Sequence, residues 1–208
     1  MIDMNSNSSS HPIEEEKGII VDLGTGDGRF VYQSARKNPH RFYLGIDASA
    51  NLLEKVSEKI HRKPAKGGLK NALFIQAAVE DLPVELAGVA DEVHIHFPWG
   101  SLLKGVATGD ETILKNIHRI CAPDAVLEVI IGVDQERDST ELERLGISSL
   151  SKEFIASDLE QRYLECGFQI SAVGSFAPGN WPDLCTSWAQ RLRNNDKRSI
   201  IYFTARRT

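Results

Sequence analysis

The sequence predicts an α/β domain whose core is a seven-stranded, mostly parallel sheet with helices on both faces. Three observations predict it. The hydrophobic period switches repeatedly between short apolar, strand-like runs and the 3.6-residue repeat of helices. The first apolar run passes through a tight glycine turn directly into a helix, as in βαβ ligand-binding units. Two further strand-like segments close the chain, which brings the count to seven.

Taken in order, Gly18 to Leu23 is a short apolar run suited to a strand buried on both faces. Arg29 to Lys37 reads as a helix that stops near Asn38-Pro39, because the residue before a proline is pushed out of the helical region. Phe42 to Ile46 is the second strand. Leu52, Leu53, Val56 and Ile60 mark an amphipathic helix over Ser49 to Arg62, which ends before Pro64. Ala72 to Gln76 and Glu92 to Phe97 are the third and fourth strands. Leu102 to Ile120 is helical with a break near Thr108-Gly109, and Ala125 to Val133 is the fifth strand. Ser157 to Cys166 is a helix with Ser157 as its N-cap and Gly167 at its end. Gln169 to Val173 and Ser199 to Thr204 complete the sheet. Residues 134–156 and 174–198 break the alternation and read as insertions. Long connections of this kind are usually functional or disordered, and 134–156 is expected to be an rRNA- or substrate-facing insertion.

The bulk properties narrow the function classes. At 208 residues, the chain suits one well-cored domain, and its composition, 41% hydrophobic and 25% charged, is that of a globular protein. No apolar run approaches a membrane span. Residues 1–17 are Ser- and Asn-rich, then acidic, with no apolar signal core, and read as a disordered or loosely held lead-in. Cys121, Cys166 and Cys185 are scattered, and no Cys or His spacing points to a metal site, so the expected location is the reducing cytoplasm. Net charge is −5, but it is uneven. Residues 59–70 and 188–207 together hold 11 of the 24 basic groups and one of the 29 acids. An acidic body with two basic segments suits a phosphate-binding face; the plainer alternative is two separate solvated surfaces.

Ile19-Ile20-Val21-Asp22-Leu23-Gly24-Thr25-Gly26-Asp27-Gly28-Arg29 is the most informative stretch. Its glycines allow a sharp turn and a close backbone approach to a ligand. Nineteen residues after Gly28 the second strand ends at Asp47, where a carboxylate can accept hydrogen bonds from both ribose hydroxyls. Dinucleotide sites prefer G-x-G-x-x-G, whereas this chain has G-x-G-x-G with Asp22 two residues before it. That pattern resembles motif I of S-adenosylmethionine (SAM) methyltransferases. Gln76-Ala77-Ala78-Val79-Glu80-Asp81-Leu82-Pro83 similarly resembles their adenine-holding loop. The fold expectation sharpens accordingly to the class I, Rossmann-like methyltransferase architecture, whose last strand runs antiparallel.

After the fourth strand comes His96-Phe97-Pro98-Trp99-Gly100-Ser101. Ligands of open α/β sheets bind beyond the carboxyl ends of the strands, which puts Trp99 beside the cofactor's methyl group. An aromatic there can stack on a base drawn out of its helix; the alternative is a tryptophan closing the sheet edge. Trp188 lies in Thr186-Ser187-Trp188-Ala189-Gln190-Arg191, where an aromatic followed by basic residues reads as recognition, and the two tryptophans could clamp a base. Trp181, beside Pro182, reads as packing. His94 and His96 read as core or strand-end histidines.

These segments, with Lys63-Pro64-Ala65-Lys66-Gly67-Gly68-Leu69, Phe97-Pro98-Trp99-Gly100 and Ser187-Trp188-Ala189, resemble the aminoglycoside-resistance 16S rRNA (adenine-1408-N1) methyltransferases from about residue 18 to the C-terminus. The resemblance implies SAM as cofactor and the 30S subunit as substrate, for a monomeric enzyme that needs no membrane. It implies cofactor contacts from Asp22, Gly24, Asp47, Ala78, Glu80 and Ser101, with Thr25, Gly26, Gly28 and Ala48 in the same loops. It implies an adenine sandwich from Trp99 and Trp188, with Pro98 and Thr186 beside the base. Lys63, Lys66, Lys70, Arg191 and Arg198 would face rRNA phosphates. Three departures bear on docking: the lead-in before the first strand is short, and Gln190 and Asp196 stand where a relative has basic residues.

Three other readings compete. A tRNA guanine-N7 methyltransferase shares the character of Asn38 to Asp47 and of Pro98-Trp99, but its basic run after the tryptophan is replaced by Gly100-Ser101-Leu102-Leu103. A SAM-binding ribosome-associated module without catalysis would leave the tryptophan pair unused. A small-molecule methyltransferase would leave the basic segments unused.

Overall fold

The computed structural model describes residues 18–134, 136–147, 150–176, 184–193 and 199–208. The expected disordered lead-in, Trp181 and Arg198 lie outside them. The strands are β1 (Ile19–Leu23), β2 (Phe42–Asp47), β3 (Ala72–Gln76), β4 (Ala90–His96), β5 (Cys121–Val133), β6 (Phe168–Phe176) and β7 (Ser199–Arg207). They form one sheet in the order β3-β2-β1-β4-β5-β7-β6. The first five are parallel, and β7 runs antiparallel to both β5 and β6. The chain order reverses between β1 and β4, so the crevice that a doubly wound sheet offers a ligand lies at the carboxyl ends of these strands.

The two sheet faces are covered differently. One carries α3 (Gly100–Thr108), α4 (Glu111–Ile120), α5 (Ser139–Leu145) and α7 (Glu160–Glu165). Its core joins Val93, Ile95, Leu127 and Val129 to Leu103, Leu114, Ile117, Leu142 and Tyr163. The other carries α1 (Arg29–Lys37) and α2 (Ala50–Ile60), which bury Val31, Tyr32, Ala35, Val56 and Ile60 against Ile20 and Tyr43. Short helix α8 (Ser187–Arg193) sits further along this second face, with Ala189 packed on Phe97, Ile130 and Ile200.

Local chemistry explains the boundaries. Asp110 caps α4, its carboxylate accepting from Thr112 N at 3.1 Å and Ile113 N at 3.2 Å. Ser157 is not an N-cap. The helix starts earlier, at α6 (Lys152–Phe154), where Ser151 accepts from Phe154 N at 3.1 Å, and it runs through a π turn at Ile155–Leu159 into α7. Ser157 sits inside that turn and donates to Glu153 O at 2.8 Å, the usual use of a mid-helix serine. Residues 134–156 turn out to build core: Leu142, Leu145, Ile147, Leu150 and Ile155 are buried on the α3 face, across the sheet from α1 and α8.

Gly28 ends the first turn at a φ of 67°, and a Cβ there would lie 2.5 Å from Phe74 Cε1 and 2.7 Å from Val56 Cγ1. Gly28→Ala is therefore expected to destabilise the protein by about 2–4 kcal/mol, combining left-handed strain with overpacking. Urea unfolding checks it.

Candidate active site

The site is built where β1, β2 and β4 end. Gly24 N and Thr25 N both donate to Ile46 O, at 2.8 and 3.0 Å, so the glycine turn is fastened to the end of β2. Asp47 completes the fastening: one carboxylate oxygen accepts from Gly26 N at 2.8 Å, the other from Ser49 N at 2.9 Å. Asp22 supports the turn from below. It is 3% exposed and accepts from Thr25 Oγ1 at 2.5 Å. Burial raises its pKa, against the opposing pull of His96, the Thr25 bond and His94.

A cleft of about 320 Å³ opens above these strand ends. Of the residues expected to hold the cofactor, Gly24, Gly26, Asp47, Ala48, Ala78, Glu80 and Ser101 line it. Asp22, Thr25 and Gly28 stand behind its wall, the first two bonded to each other and the third packed on α2 and β3. Ile46, Leu52, Ala77, Val79 and Leu102 supply apolar lining that sequence reasoning did not single out. Asp47 and Glu80 are the titratable groups among the lining residues. This donor set fits SAM: a carboxylate at the end of the second strand for the ribose, and an apolar slot for the adenine.

Pro98, Trp99 and Trp188 close the mouth of the same cleft. Their rings come from segments nearly ninety residues apart, yet Trp99 and Trp188 lie 13° from parallel with centroids 6.5 Å apart. Each is 46% exposed. A base sandwiched between two rings needs about twice the roughly 3.4 Å rise between stacked bases, so with centroids 6.5 Å apart the pair must open by at least a few tenths of an ångström to admit one.

The spacing has a structural cause. Phe97 holds a positive φ of 52°, unusual for a bulky residue, and donates its N–H to Ile130 O at 2.7 Å. Its buried ring packs with Ala189 of α8, so a single apolar cluster carries both tryptophan segments. Thr186, expected beside the base, caps α8 by accepting from Ala189 N at 2.9 Å and does not line the cleft. Helix α8 itself falls where the sequence showed only an irregular connection.

Two polar contacts fasten α8 to the start of α1. Ser187 Oγ donates to Asp27, and Arg29 Nη1 donates to Gln190 Oε1 at 2.5 Å. Arg191 lies over the Trp188 ring, its guanidinium carbon 5.8 Å from the ring centroid. Gln190, a departure from the basic residue of a relative, thus has a local use. Ser187→Ala is expected to lower methyl transfer about 2- to 10-fold, the value of one modest hydrogen bond, with SAM affinity unchanged. Parallel turnover and SAM titration measurements check it.

Lys63, Lys66 and Lys70 are exposed around a short 3₁₀ turn at Pro64–Lys66. Tyr32 OH donates to Gly67 O at 2.9 Å and anchors this segment on α1. Lys59 Nζ sits 3.8 Å from the Tyr32 ring centroid. Between α1 and α2 a groove of about 440 Å³ is lined by Arg29, Lys55 and Lys59, and Leu52 lines both it and the cofactor cleft. The groove therefore adjoins the cofactor cleft at Leu52, and its Tyr32 holds both Lys59 and the Gly67 carbonyl of the Lys63–Lys70 segment.

Behind the site, His94 and His96 point to a carboxylate that sequence spacing could not reveal. Glu128 of β5 lies opposite His94 and contacts both imidazoles. Burial disfavours charge on His94, but bonds to Glu128 and Glu92 outweigh it and hold its pKa at about 9. The His94 bond in turn holds Glu92 at about 2, and bonds from His94 and His96 hold Glu128 well below the usual carboxylate range.

Comparison with known proteins agrees with this geometry. The family model of 16S rRNA (adenine(1408)-N(1))-methyltransferases matches residues 1–207. The 16S rRNA (adenine(1408)-N(1))-methyltransferase of Escherichia coli is 35% identical over 96% of this chain and 92% of its own length. The crystal structure of the aminoglycoside resistance methyltransferase NpmB1 is 44% identical, with a TM-score of 0.81 over 92% of this chain and 87% of that one. A 16S rRNA (adenine(1408)-N(1))-methyltransferase from Catenulisporales acidiphilia, solved with its cosubstrate SAM, is 32% identical, with a TM-score of 0.84 over 92% of this chain and 86% of that one. With the motif, the cleft and the whole-chain matches in agreement, the chain belongs to the family of SAM-dependent 16S rRNA (adenine(1408)-N(1))-methyltransferases.

Proposed function

We propose that this protein transfers a methyl group from SAM to N1 of adenine 1408 in the 16S rRNA of the 30S subunit, and thereby confers aminoglycoside resistance. The observation that carries the reading is the parallel tryptophan pair, 6.5 Å apart, at the mouth of the cofactor cleft. A small-molecule enzyme has no need of a slot one base thick beside a groove lined with cations.

The chemistry asks little of side chains as acids or bases. N1 of neutral adenine carries a free lone pair, so its attack needs no general base. SAM, when bound, supplies an activated methyl on a sulfonium centre. The protein's task is then to hold N1 in line with that methyl, a matter of proximity and orientation. Asp47 and the Gly24–Gly26 turn would fix the cofactor, while Trp99 and Trp188 would fix the base. As the methyl transfers, positive charge grows on the adenine between two π faces, a gain of about 0.5–2 kcal/mol. Drawing the base out of its stack costs a few kcal/mol, which the sandwich offsets.

Lys63, Lys66, Lys70, Arg191 and the groove cations Arg29, Lys55 and Lys59 would hold rRNA phosphates, so binding should weaken steeply with salt. Because these contacts read backbone shape and not sequence, the assembled 30S subunit is the expected substrate. The test is transfer of labelled methyl from SAM to purified 30S subunits, tRNA and free 16S rRNA in parallel. Label in 30S subunits alone, or in these well above free rRNA, supports the reading. Label in tRNA alone would favour the guanine-N7 alternative, and SAM binding without label in any of them would favour a non-catalytic module.

A further inference from the structure

The strongest unexplained feature is the polar cluster on the sheet face beneath α1. Residues two apart on a strand share a face, so β4 presents His94 and His96 side by side. The β4–β5 register then puts Glu128 directly opposite His94. His94 Nδ1 lies 3.0 Å, and His96 Nε2 2.7 Å, from the same Glu128 oxygen. The ligand atoms of all three fall within 4.8 Å of one another. None of these residues lines the cofactor cleft.

We propose that His94, His96 and Glu128 form a binding site for a zinc-like divalent transition metal ion, through His94 Nδ1, His96 Nε2 and a Glu128 oxygen. Four features carry this. Two imidazoles and one carboxylate are a known three-ligand zinc set that leaves a fourth position for water. Mg²⁺ and Ca²⁺ prefer oxygen ligands and are disfavoured by the two nitrogens. The outer contacts are those of a metal-bound histidine: His94 Nε2 faces Glu92 Oε2 at 3.2 Å, and Glu92 is itself held by Arg41. The surroundings are dry on one side and open on the other. The Phe30 ring covers both imidazoles, with centroids 5.4 and 4.8 Å away, while the Glu128 side chain is 34% exposed and gives an ion and a water a way in. His94 alone has such an outer partner; among the described residues His96 Nδ1 is buried without one.

The two nitrogen–oxygen separations open from 3.0 and 2.7 Å to the roughly 3.3 Å expected between tetrahedral ligands at zinc bond lengths, and all three ligand atoms lie within 4.8 Å of one another. The ion would tie the end of β4, one residue before Phe97-Pro98-Trp99, to β5. It would act as a structural clamp under the loop that carries Trp99.

The test uses the full chain, freed of any purification tag and stripped with a chelator, titrated with Co²⁺ and then Zn²⁺. The expected result is one Co²⁺ per chain with the visible absorption of a low-coordinate site, displaced by Zn²⁺, and no thiolate charge-transfer band. His96→Gln and Glu128→Gln should each weaken binding at least tenfold. The outer-contact variant Glu92→Gln should weaken it about 10- to 100-fold. SAM affinity, which should stay unchanged, reports that each variant is folded. If a variant fails to fold, the wild-type Co²⁺ spectrum still decides. Absence of that spectrum overturns the proposal, as does binding that survives both His96→Gln and Glu128→Gln, which would assign the ion to surface histidines such as His40 and His61.

Discussion

Trp99→Ala and Trp188→Ala are each expected to lower methyl transfer to 30S subunits about 10- to 100-fold while leaving SAM affinity within a few-fold. Loss of one stacking face is worth about 1–3 kcal/mol per base. Loss of the π face that shelters the developing charge adds about 0.5–2 kcal/mol to the barrier. The double variant should fall less than the product of the two, because a base that has lost one wall is already poorly held by the other. Phenylalanine at either position should restore part of the rate. The two readings of Trp99 separate cleanly here. A tryptophan that closes the sheet edge would cost stability when truncated. At 46% exposure each, these two should cost little stability and much activity. Turnover on 30S subunits, SAM titration and thermal unfolding of the same variants decide it. Full activity in both alanine variants would remove the sandwich from the mechanism.

Asp47→Ala is expected to weaken SAM binding by about 100-fold or more. Hydrogen bonds to a charged group contribute about 1.5–3 kcal/mol each, and a ribose offers two hydroxyl donors. The same carboxylate also fastens the glycine turn through Gly26 N and shapes the chain after β2 through Ser49 N. Its removal therefore costs both the ligand contact and the preorganisation of the turn. Asp47→Asn keeps one acceptor oxygen and should lose less. Calorimetric titration with SAM separates the two variants, and an Asp47→Ala protein that binds SAM normally would mean that the cofactor is held elsewhere.

Much of this could be read from the chain because the informative contacts are local. α1 runs from Arg29 to Lys37 as expected, since its glycine turn and the Asn38-Pro39 stop both lie within a few residues of the helix. The Gly24–Gly26 turn and Asp47 meet in the cleft because two adjacent parallel strands bring their carboxyl ends together. What stayed hidden depends on tertiary packing. Ser157 has the chemistry of an N-cap, but Ser151 and the apolar Phe154 and Ile155 start the helix a turn earlier. Residues 134–156 lack clear periodicity because α5 spans only Ser139–Leu145, yet their leucines and isoleucines fill the core. That Thr186 caps α8 depends on a helix the sequence did not reveal. Asp22, Thr25 and Gly28 belong to the cofactor motif by position, and in space they shape and pack the turn without lining the cleft. His94 and Glu128 stand 34 residues apart, and only strand register shows that they meet.

The most direct measurement is reverse transcription through the decoding region of 30S subunits incubated with the purified protein, with and without SAM. A methyl group on N1 blocks the Watson–Crick edge and stops the polymerase. The account predicts one new SAM-dependent stop at adenine 1408, appearing about 10- to 100-fold more slowly with Trp188→Ala. Read-through at that adenine by a protein that binds SAM, or a stop at another nucleotide, would contradict it.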